Sequence, residues 1–448
     1  MISPARRPAR HVAARMTATM ALVLAASGCA GSTGGGKDPD AEATSLTVLD
    51  YYTDAPEHHQ WTEMLASCGR RAGVRIEHTS VPPASLVPQV LRQASSHTLP
   101  DLLMLDNADL QQVARTGALA PLDTFGPLNG ATNGATSGTA SGTASGTASG
   151  TASGIDTRDV TEGILSAGTY DGKVYGLAPY VSTVALFYNK GMLAEAGVAV
   201  PRTWDELRAA AARLTRPGRY GMAVDANATF EGTWQFLPFL WSNGGDESKL
   251  DTPEAAQALR LWVDLVKSGS MSTSVLNWNQ ADVHDQFAAG RTAMMINGPW
   301  RIPALKADEK LKWGVAPVPV PRAGQPPVTP LGGEVWTVPR SDSTARQKKA
   351  ARVLGCLNTP ANTRALAAQH LTVPSRTGVA AEYAEANPSM SVFVDSVKDA
   401  RVRTARLGVR WPQAATGIYT AIQSALTGRQ TPEEALEDAQ RIATGAGL

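Results

Sequence analysis

The stretch that decides the fold class is LTVLDYYTDAPEHHQWTEMLASCGRRAGVRIEH, residues 46–78. It begins with an apolar run typical of a buried strand, continues with Trp61 and Leu65 at helical spacing, and ends in VRIEH, which predicts a second strand. LPDLLML at 99–105 predicts a further strand, and the helical pattern after it is followed by Gly117, a residue suited to ending a helix. This alternation of strands and helices predicts an α/β sheet.

The amino terminus has the layout of a secretory signal. Basic residues precede MTATMALVLAA, an apolar run too short to span a bilayer, and Ala26, Ser27 and Gly28 then lead into Cys29. This junction resembles the lipobox of bacterial lipoproteins, which implies cleavage after a signal peptide of residues 1–28, diacylglyceryl modification of Cys29 and attachment by two or more acyl chains. A chance cysteine that forms a disulfide is the alternative, and twin-arginine export is a second choice of route.

Length and composition bound the organisation and the partners. Removing residues 1–28 from 448 leaves 420, which is too many for one core and predicts two lobes or domains. Charged residues make up 18% and the net charge is +1, so we expect neither a nucleic-acid partner nor a polybasic membrane patch. Cys68 and Cys356 can pair or can simply be buried, and the sequence does not choose between these alternatives.

Two segments have a composition that cannot form a core. Residues 29–44 consist mainly of Gly and of small or charged residues with almost nothing to bury, and they predict a flexible tether. The tether contains GSTGGGKD, but Asp38 stands where a phosphate-binding loop needs Ser or Thr, so no nucleotide cofactor is expected. Residues 129–154 repeat the unit SGTA, so we expect a disordered insertion rather than a stalk or a glycosylated tract.

Four stretches carry a resemblance to a known family. They are YDGKVYGLAPYVSTVALFYNKGMLAEAG (170–197), FAAGRTAMMINGPW (287–300), LGGEVWTVP (331–339) and TGRQTPEEALEDAQ (427–440). In order and spacing they resemble the extracellular solute-binding proteins of carbohydrate ABC importers (family 1), and INGPW and the last stretch are most similar to the maltodextrin-binding type. The likeness covers nearly all of residues 45–448 apart from the SGTA insertion.

The resemblance implies two α/β lobes joined by crossing strands, in a periplasmic-binding-protein-like fold with a hinged cleft between the lobes. By this likeness the crossings lie near residues 179–181, 316–320 and 374. The implied lobes are residues 45–180 with 320–375, and residues 181–319 with 376–448. A ligand closes such a hinge only by binding the closed state better than the open one.

Aromatic residues are the first candidates for the ligand site, because a sugar presents apolar C–H faces that flat rings can cover. By the resemblance, Trp300 ends the INGPW turn where the maltodextrin-binding family stacks a sugar ring, and Trp234 stands where that family carries a second cleft aromatic. Trp336, after two glycines, and Trp411, before the last helices, are further candidates. For Trp300 and Trp336, a place in the hydrophobic core is the alternative.

Polar candidates come from the ends of predicted strands, where open α/β folds bind ligands, and from the VPSR stretch. They are Thr53, Asp54, Asp106, Asn107, Ser182, Thr183, Gly332, Gly333, Glu334 and Arg376. Either aspartate could instead cap the next helix, and Arg376 could brace a carboxylate at the hinge. Ser182 stands where the maltodextrin-binding type has an acidic residue, so the sequence does not specify maltodextrin itself.

The function predicted from the sequence is ligand capture for an ABC importer, with a di- or oligosaccharide as ligand and with the permease and ATPase subunits as separate chains. The alternatives are another polar solute, of polyol or glycerophosphate type, and a secreted glycan-degrading enzyme. No G-x-S-x-G, no H-E-x-x-H and no histidine cluster of metal-ligand spacing occurs, so we expect no catalytic residue, no metal and no cofactor. The protein is expected to be a monomer, lipid-anchored on the extracytoplasmic face of the cell membrane.

Overall fold

The folded chain alternates strands with helices in the computed structural model, which describes residues 43–129 and 155–445. Its strands are β1 (Ser45–Asp50), β2 (Arg75–Ser80), β3 (Leu102–Asp106), β4 (Leu128–Asn129), β5 (Ile155–Asp156), β6 (Thr169–Tyr170), β7 (Lys173–Val174), β8 (Gly176–Leu177), β9 (Tyr180–Val181), β10 (Ala185–Asn189), β11 (Met294–Asn297), β12 (Trp313–Ala316), β13 (Pro330–Leu331), β14 (Glu334–Thr337), β15 (Val373–Pro374) and β16 (Arg401–Val402). Its α-helices are α1 (Glu57–Arg71), α2 (Pro83–Ser95), α3 (Leu110–Ala114), α4 (Glu162–Ser166), α5 (Lys190–Ala196), α6 (Trp204–Leu214), α7 (Phe230–Ser242), α8 (Pro253–Lys267), α9 (Gln280–Ala288), α10 (Ile302–Ala307), α11 (Thr344–Leu357), α12 (Pro360–His370), α13 (Thr377–Ala386), α14 (Ser391–Lys398), α15 (Trp411–Leu426) and α16 (Pro432–Thr444).

The strands form two main sheets, one in each lobe. The first sheet has the order β2-β1-β3-β14-β8, and Leu49 in β1 pairs in parallel with Thr79 of β2 and Leu103 of β3. In the second sheet, β10 lies between β11 and β12 and is antiparallel to both. The two-lobed α/β fold predicted from the sequence is therefore confirmed.

The β1–α1–β2 unit forms as its sequence predicts. Leu46 and Val48 of β1 are buried, because helices cover this central strand of the sheet. Helix α1 places Trp61, Leu65 and Cys68 on one buried face, since residues three and four positions apart share a face of a helix. The β1–α1–β2 unit therefore holds the end of β1 in place, and the residues that follow this end lie at the cleft.

A disulfide joins Cys68 of α1 to Cys356 of α11, with an S–S distance of 2.04 Å and a Cα–Cα distance of 5.6 Å. The two cysteines are 288 positions apart in the sequence. The sequence left open whether the two thiols pair or are simply buried, and in the structure they pair. The bond ties the two chain segments of the first lobe to each other.

The second lobe is built around α7, whose residues from Gly232 to Ser242 are buried on every side. Helices α8 and α15 pack against it, and α16 packs on both of them. The YNK turn opens α5 as expected, because the side chain of Asn189 accepts a hydrogen bond from the backbone N–H of Met192 at 3.0 Å. The buried helix α7 gives this lobe a rigid support for side chains that reach the cleft.

The lobes are connected beside β9 and β15, which pair antiparallel with each other at two of the predicted crossings. Directly after β9, Ser182 exchanges two backbone hydrogen bonds with Gly332, at 3.1 and 2.8 Å. The chain then enters the second sheet at β10 and returns to the first sheet at β14. The limits of the two lobes along the sequence stay a prediction.

Several predictions fall on residues that the structure does not describe. The signal segment, the lipidation of Cys29 and nearly all of the tether and of the SGTA insertion lie outside the described ranges. Ala43 is buried and the carbonyl of Thr44 accepts from Arg75, so the folded lobe includes these two residues. Among the described residues, no helix has both the length and the apolar character needed to cross a bilayer.

Candidate functional site

A cavity of about 630 Å³ lies where the residues after β1, the end of β3 and the start of β14 meet the start of α7. Nine of the residues predicted for the site line it. They are Thr53, Asp54, Asp106, Ser182, Trp234, Trp300, Gly332, Gly333 and Glu334. Sequence segments that are far apart therefore come together around one cleft, with contributions from both lobes.

Trp300 lies on a short turn that leaves the second sheet directly after β11. Its ring folds back over Gly298, since a Cβ placed on Gly298 would overlap the indole ring. The ring is partly buried against the core of the second lobe, and it also lines the cavity. This position holds a flat apolar surface at the cleft on a rigid element.

Trp234 reaches the same cavity from α7. A Cβ on Gly332 would approach its ring to 2.5 Å, so the ring rests directly on the backbone between β13 and β14. The guanidinium of Arg403 lies 4.7 Å from the centre of this ring, at the distance of a cation–π contact. Arg403 also donates to the carboxylate of Asp106 and, at 3.0 Å, to Oδ1 of Asn107. Arg403 thus links the end of β3 to Trp234.

Tyrosines and a glutamate form a polar aromatic surface on the first-lobe side. The hydroxyl of Tyr51 donates to Oε1 of Glu334 at 2.6 Å, and the hydroxyls of Tyr52 and Tyr180 are 2.9 Å apart. Burial raises the pKa of all three phenols well above the usual value, and burial also raises the pKa of Glu334. The phenols are therefore protonated at neutral pH, so Tyr51 donates a hydrogen bond to Glu334 and one of Tyr52 and Tyr180 donates to the other.

His370, the last residue of α12, continues this surface. Its ring centre lies 5.3 Å from that of Tyr180 and 5.7 Å from that of Tyr52. Burial lowers the pKa of His370 to about 4, so the imidazole is neutral at pH 7. Thr372 follows two residues later and lines the same cavity. We call these residues the first-lobe wall, comprising Tyr51, Tyr52, Tyr180, Glu334, His370 and Thr372.

The cavity carries more acidic than basic side chains. Its guanidinium groups belong to Arg301 and Arg403, and Arg403 is paired with Asp106. Burial lowers the pKa of Arg301, against the opposing effect of nearby carboxylates. The carboxylates that line the cavity are Asp54, Glu57, Asp106, Glu231 and Glu334. The net negative charge of the cavity would therefore repel an anionic ligand, whereas it would not repel a neutral one.

Trp336 and Trp411, both predicted for the site, lie away from the cavity. Trp336 is fully buried in the core of the first lobe, where its ring centre is 4.9 Å from that of Trp61. Trp411 is equally buried at the start of α15 in the core of the second lobe. Both rings thus lie in the hydrophobic core, which for Trp336 was the alternative to a place in the ligand site.

Three polar candidates are also buried outside the cavity lining. Asn107 and Thr183 donate to the backbone carbonyls of Leu331 and Pro330, at 3.2 and 2.8 Å, and so hold the loop that carries Gly332. Arg376 donates to three backbone carbonyls, those of Asn358 at 2.8 Å, Arg158 at 2.5 Å and Asp156 at 2.7 Å. These side chains fix loops next to the cleft instead of facing it.

The sequence reasoning missed several residues that line the cavity. Tyr51 and Tyr52 follow β1 just as Thr53 does, so the rule about strand ends applied to them as well. Phe230, at the start of α7, is 42% exposed, which is unusual for a large aromatic residue. For His370 and Arg403 the sequence carried no signal, because their positions depend on how distant elements pack.

A histidine network lies beside the cleft but has no arrangement suited to a metal. His78 and Ser80 both bond to the buried carboxylate of Asp50, at 2.8 and 2.5 Å, and His58 contacts the carbonyl of Tyr52 at 3.0 Å. Across residues 43–129 and 155–445, no group of three or more His, Cys, Asp or Glu side chains is placed to hold a metal ion. The network supports the loop that carries Tyr52.

Comparisons with known proteins agree with this architecture. A binding protein of Brucella abortus is 28% identical over 290 residues, which cover 62% of this chain and 69% of the relative. The maltooligosaccharide ABC transporter solute-binding lipoprotein of Streptococcus pneumoniae is 22% identical over 344 residues, which cover 72% of this chain and 71% of that protein. The crystal structure of the cyclic α-maltosyl-1,6-maltose binding protein of Arthrobacter globiformis matches with a TM-score of 0.72 at 26% identity, covering 90% of this chain and 98% of that chain.

The sequence profile of one family matches residues 63–391, a range that includes most of the residues that line the cavity. With the two-lobed fold and the shared cleft, this match settles the family as the four sequence stretches predicted. The chain belongs to the bacterial extracellular solute-binding proteins.

Proposed function

We propose that this protein captures a di- or oligosaccharide outside the cell and delivers it to a membrane permease driven by a separate ATPase. The observation that carries the proposal is the cleft, which combines the aromatic rings of Phe230, Trp234 and Trp300 with the hydrogen-bonding groups of the first-lobe wall. Rings of this kind fit the C–H faces of a sugar, and the polar groups fit its hydroxyls. The names of the streptococcal and Arthrobacter relatives support the same ligand class.

The ligand contacts in this proposal are the nine predicted residues that line the cavity together with the first-lobe wall. Binding closes the lobes, which span residues 45–180 with 320–375 and residues 181–319 with 376–448, about the strands β9 and β15. A sugar held by side chains of both lobes binds the closed state better and so favours it. The protein acts as a monomer and does not transform its ligand.

Calorimetric titration tests this function with a panel of maltose, maltotriose, trehalose, lactose and glycerol 3-phosphate. We expect saturable binding of at least one sugar, with the sugar recovered unchanged by chromatography. Release of shorter products would favour the glycan-degrading alternative. Binding of glycerol 3-phosphate alone would favour the glycerophosphate alternative, against which the acidic lining of the cleft argues.

The anchor is a separate part of the proposal. Cys29 carries the lipid, and the mature protein is held on the extracytoplasmic face of the cell membrane through the tether of residues 29–44, because the signal and the ASGC junction have the lipobox pattern. Metabolic labelling with a fatty-acid probe should mark the wild type but not Cys29→Ala. Cys356→Ala is the matched control, which should still be labelled. Labelling of Cys29→Ala at the wild-type level would refute the anchor.

A further inference from the structure

Buried polar atoms without a hydrogen-bond partner gather at the cleft. Among the residues that the structure describes, such atoms include Oε2 of Glu334, Nε2 of His370 and Oγ1 of Thr372, all in residues that line the cavity. Buried polar groups in folded proteins are nearly always paired, because an unpaired group loses its hydration without compensation. Three such atoms on one wall of one cavity indicate a surface that is completed by a ligand.

The chemistry of these three atoms fits hydroxyl groups. The neutral imidazole of His370 can donate or accept at Nε2, and the hydroxyl of Thr372 can do both. Glu334 receives Tyr51 on Oε1, which leaves Oε2 as an acceptor. A sugar hydroxyl can both donate and accept a hydrogen bond. One sugar unit can therefore donate to Glu334 and also pair with His370 and Thr372, which can each donate or accept.

The wall that carries these atoms is held in place by its own contacts. The ring of His370 lies 5.5 Å from that of Trp61, between centres, in a stacked arrangement. The hydroxyls of Tyr52 and Tyr180 bond to each other, and both rings neighbour His370. Groups that are already fixed lose little conformational freedom when a ligand binds.

We propose that Glu334, His370 and Thr372 form a subsite that selects one uncharged, hydroxyl-bearing sugar unit by direct hydrogen bonds. The proposal rests on the proposed function and deepens it, since it names the part of the cleft that reads hydroxyl groups while the tryptophans cover apolar faces. A deoxy sugar, or a unit with a carboxylate in place of a hydroxyl, would leave these atoms unpaired or bring like charges together.

Thr372→Val and Thr329→Val make a matched pair that tests the subsite. Both hydroxyls are buried without a partner in the described part of the chain, but only Thr372 lines the cavity. We expect Thr372→Val to weaken binding of the sugar that saturates the wild type in the calorimetric panel about five- to tenfold, and Thr329→Val to bind as the wild type does. His370→Phe, which keeps a ring but removes both nitrogens, should also weaken binding about five- to tenfold.

A spectroscopic readout separates a direct contact from an indirect effect. Addition of the same sugar should shift the ¹⁵N resonances of the His370 imidazole at pH 7 in the wild type and in Thr329→Val. If the wild type binds a sugar but Thr372→Val and His370→Phe bind equally well and the His370 resonances do not move, the subsite is refuted while the proposed function stands. If the wild type binds glycerol 3-phosphate and no sugar of the panel, both the function and the subsite are refuted.

Discussion

At the scale of single residues, the cleft depends on glycines that make room for aromatic rings. The ring of Trp300 occupies the space above Gly298, and the ring of Trp234 occupies the space above Gly332. Gly333 adds a positive φ of 113°, a conformation that a residue with a side chain rarely adopts. The aromatic surfaces of the site are thus set by residues without side chains.

Trp300→Ala should weaken sugar binding at least tenfold, or about 1.4 kcal/mol, because the change removes both contact area and the preference for an aromatic face. Calorimetry and thermal unfolding on the same protein measure the two effects separately. Trp411→Phe is the control, since that ring lies in the core away from the cleft and its change should lower Tm without changing affinity. Unchanged affinity in a folded Trp300→Ala protein would remove this ring from the site.

Gly298→Ala should weaken sugar binding while the indole of Trp300 is still present. The new methyl group overlaps the present position of the ring, which must then move. Gly355→Ala in α11 is the matched control, because its methyl group meets nothing within 4 Å and alanine favours a helix by about 0.5 to 1 kcal/mol over glycine. Calorimetric affinities of the two variants should differ, and equal affinities would show that the ring position does not matter.

How far the sequence predicts individual site residues depends on where they sit in an element. Thr53 and Asp106 lie at strand ends, where topology alone places them at the cleft edge. Trp336 has the right residue type but lies inside β14 with its ring in the core, and the sequence could not tell which face of the strand is covered. Arg403 reaches Trp234 from a segment 169 positions later, a contact that only the folded chain creates.

At the scale of elements, the pattern of apolar residues predicts that a strand exists better than it predicts where the strand begins and ends. The strand predicted at the start of the stretch 46–78 runs over Ser45–Asp50, and the one predicted at 99–105 runs over Leu102–Asp106. In both cases the apolar residues are buried, whereas the ends are set by hydrogen bonds of the turns that follow. One example is Asp106, whose carboxylate accepts from the backbone N–H of Ala108 at 2.9 Å.

The turn between β3 and α3 makes stability depend on pH. Burial, helped by the carboxylate of Asp106, raises the pKa of Asp109 to about 7. In the unfolded chain an aspartate titrates near 4, so between pH 4 and 7 the folded state binds more protons, and its stability falls as pH rises through this window.

Asp109→Asn should therefore gain stability relative to the wild type as pH increases. The gain should be small at pH 4 and on the order of 2 to 4 kcal/mol at pH 8, since asparagine carries no charge to desolvate. Its side-chain oxygen can still accept the bond that Gln112 now donates to Asp109 at 2.9 Å. Urea unfolding at both pH values measures the difference, and Asp109→Glu, which keeps a titrating group, is the control. Parallel pH curves for wild type and Asp109→Asn would contradict the assignment.

At the scale of the whole molecule, each lobe is assembled from chain segments that are distant in sequence. The first sheet takes β1 to β3 from the early part of the chain and β14 from a segment more than 200 positions later. Strands so far apart can pair only after the chain has closed a large loop, which costs conformational entropy. A bond between the separate segments therefore matters more here than in a lobe made of continuous chain.

Replacement of both Cys68 and Cys356 by serine should lower the free energy of unfolding by about 2 to 5 kcal/mol, because a cross-link over a long loop restricts the unfolded chain. Urea unfolding measures the change. A reductant should lower the midpoint of the wild type and leave that of the double variant unchanged. The same midpoint for wild type and double variant would show that the bond adds no stability.

Deletion of residues 137–154 should leave sugar affinity and Tm unchanged. The deleted stretch has no side chain able to bury area, and the segments on either side already pair, with Leu128 beside Ile155. The seven residues that remain, 130–136, can span about 20 Å, more than the gap between neighbouring strands. Replacement of the stretch by a Gly/Ser linker of equal length is the control, and loss of affinity in the deletion alone would assign the insertion a role in the site.

The bond between Cys68 and Cys356 also makes most of the protein a covalent ring. Strands β9 to β12, helices α5 to α10 and the SGTA segment all lie between these two cysteines. A protease that cuts the backbone once anywhere between residues 69 and 355 therefore opens the ring without releasing a fragment. A protein nicked in this way migrates as one species on a denaturing gel without reductant and as two species with it.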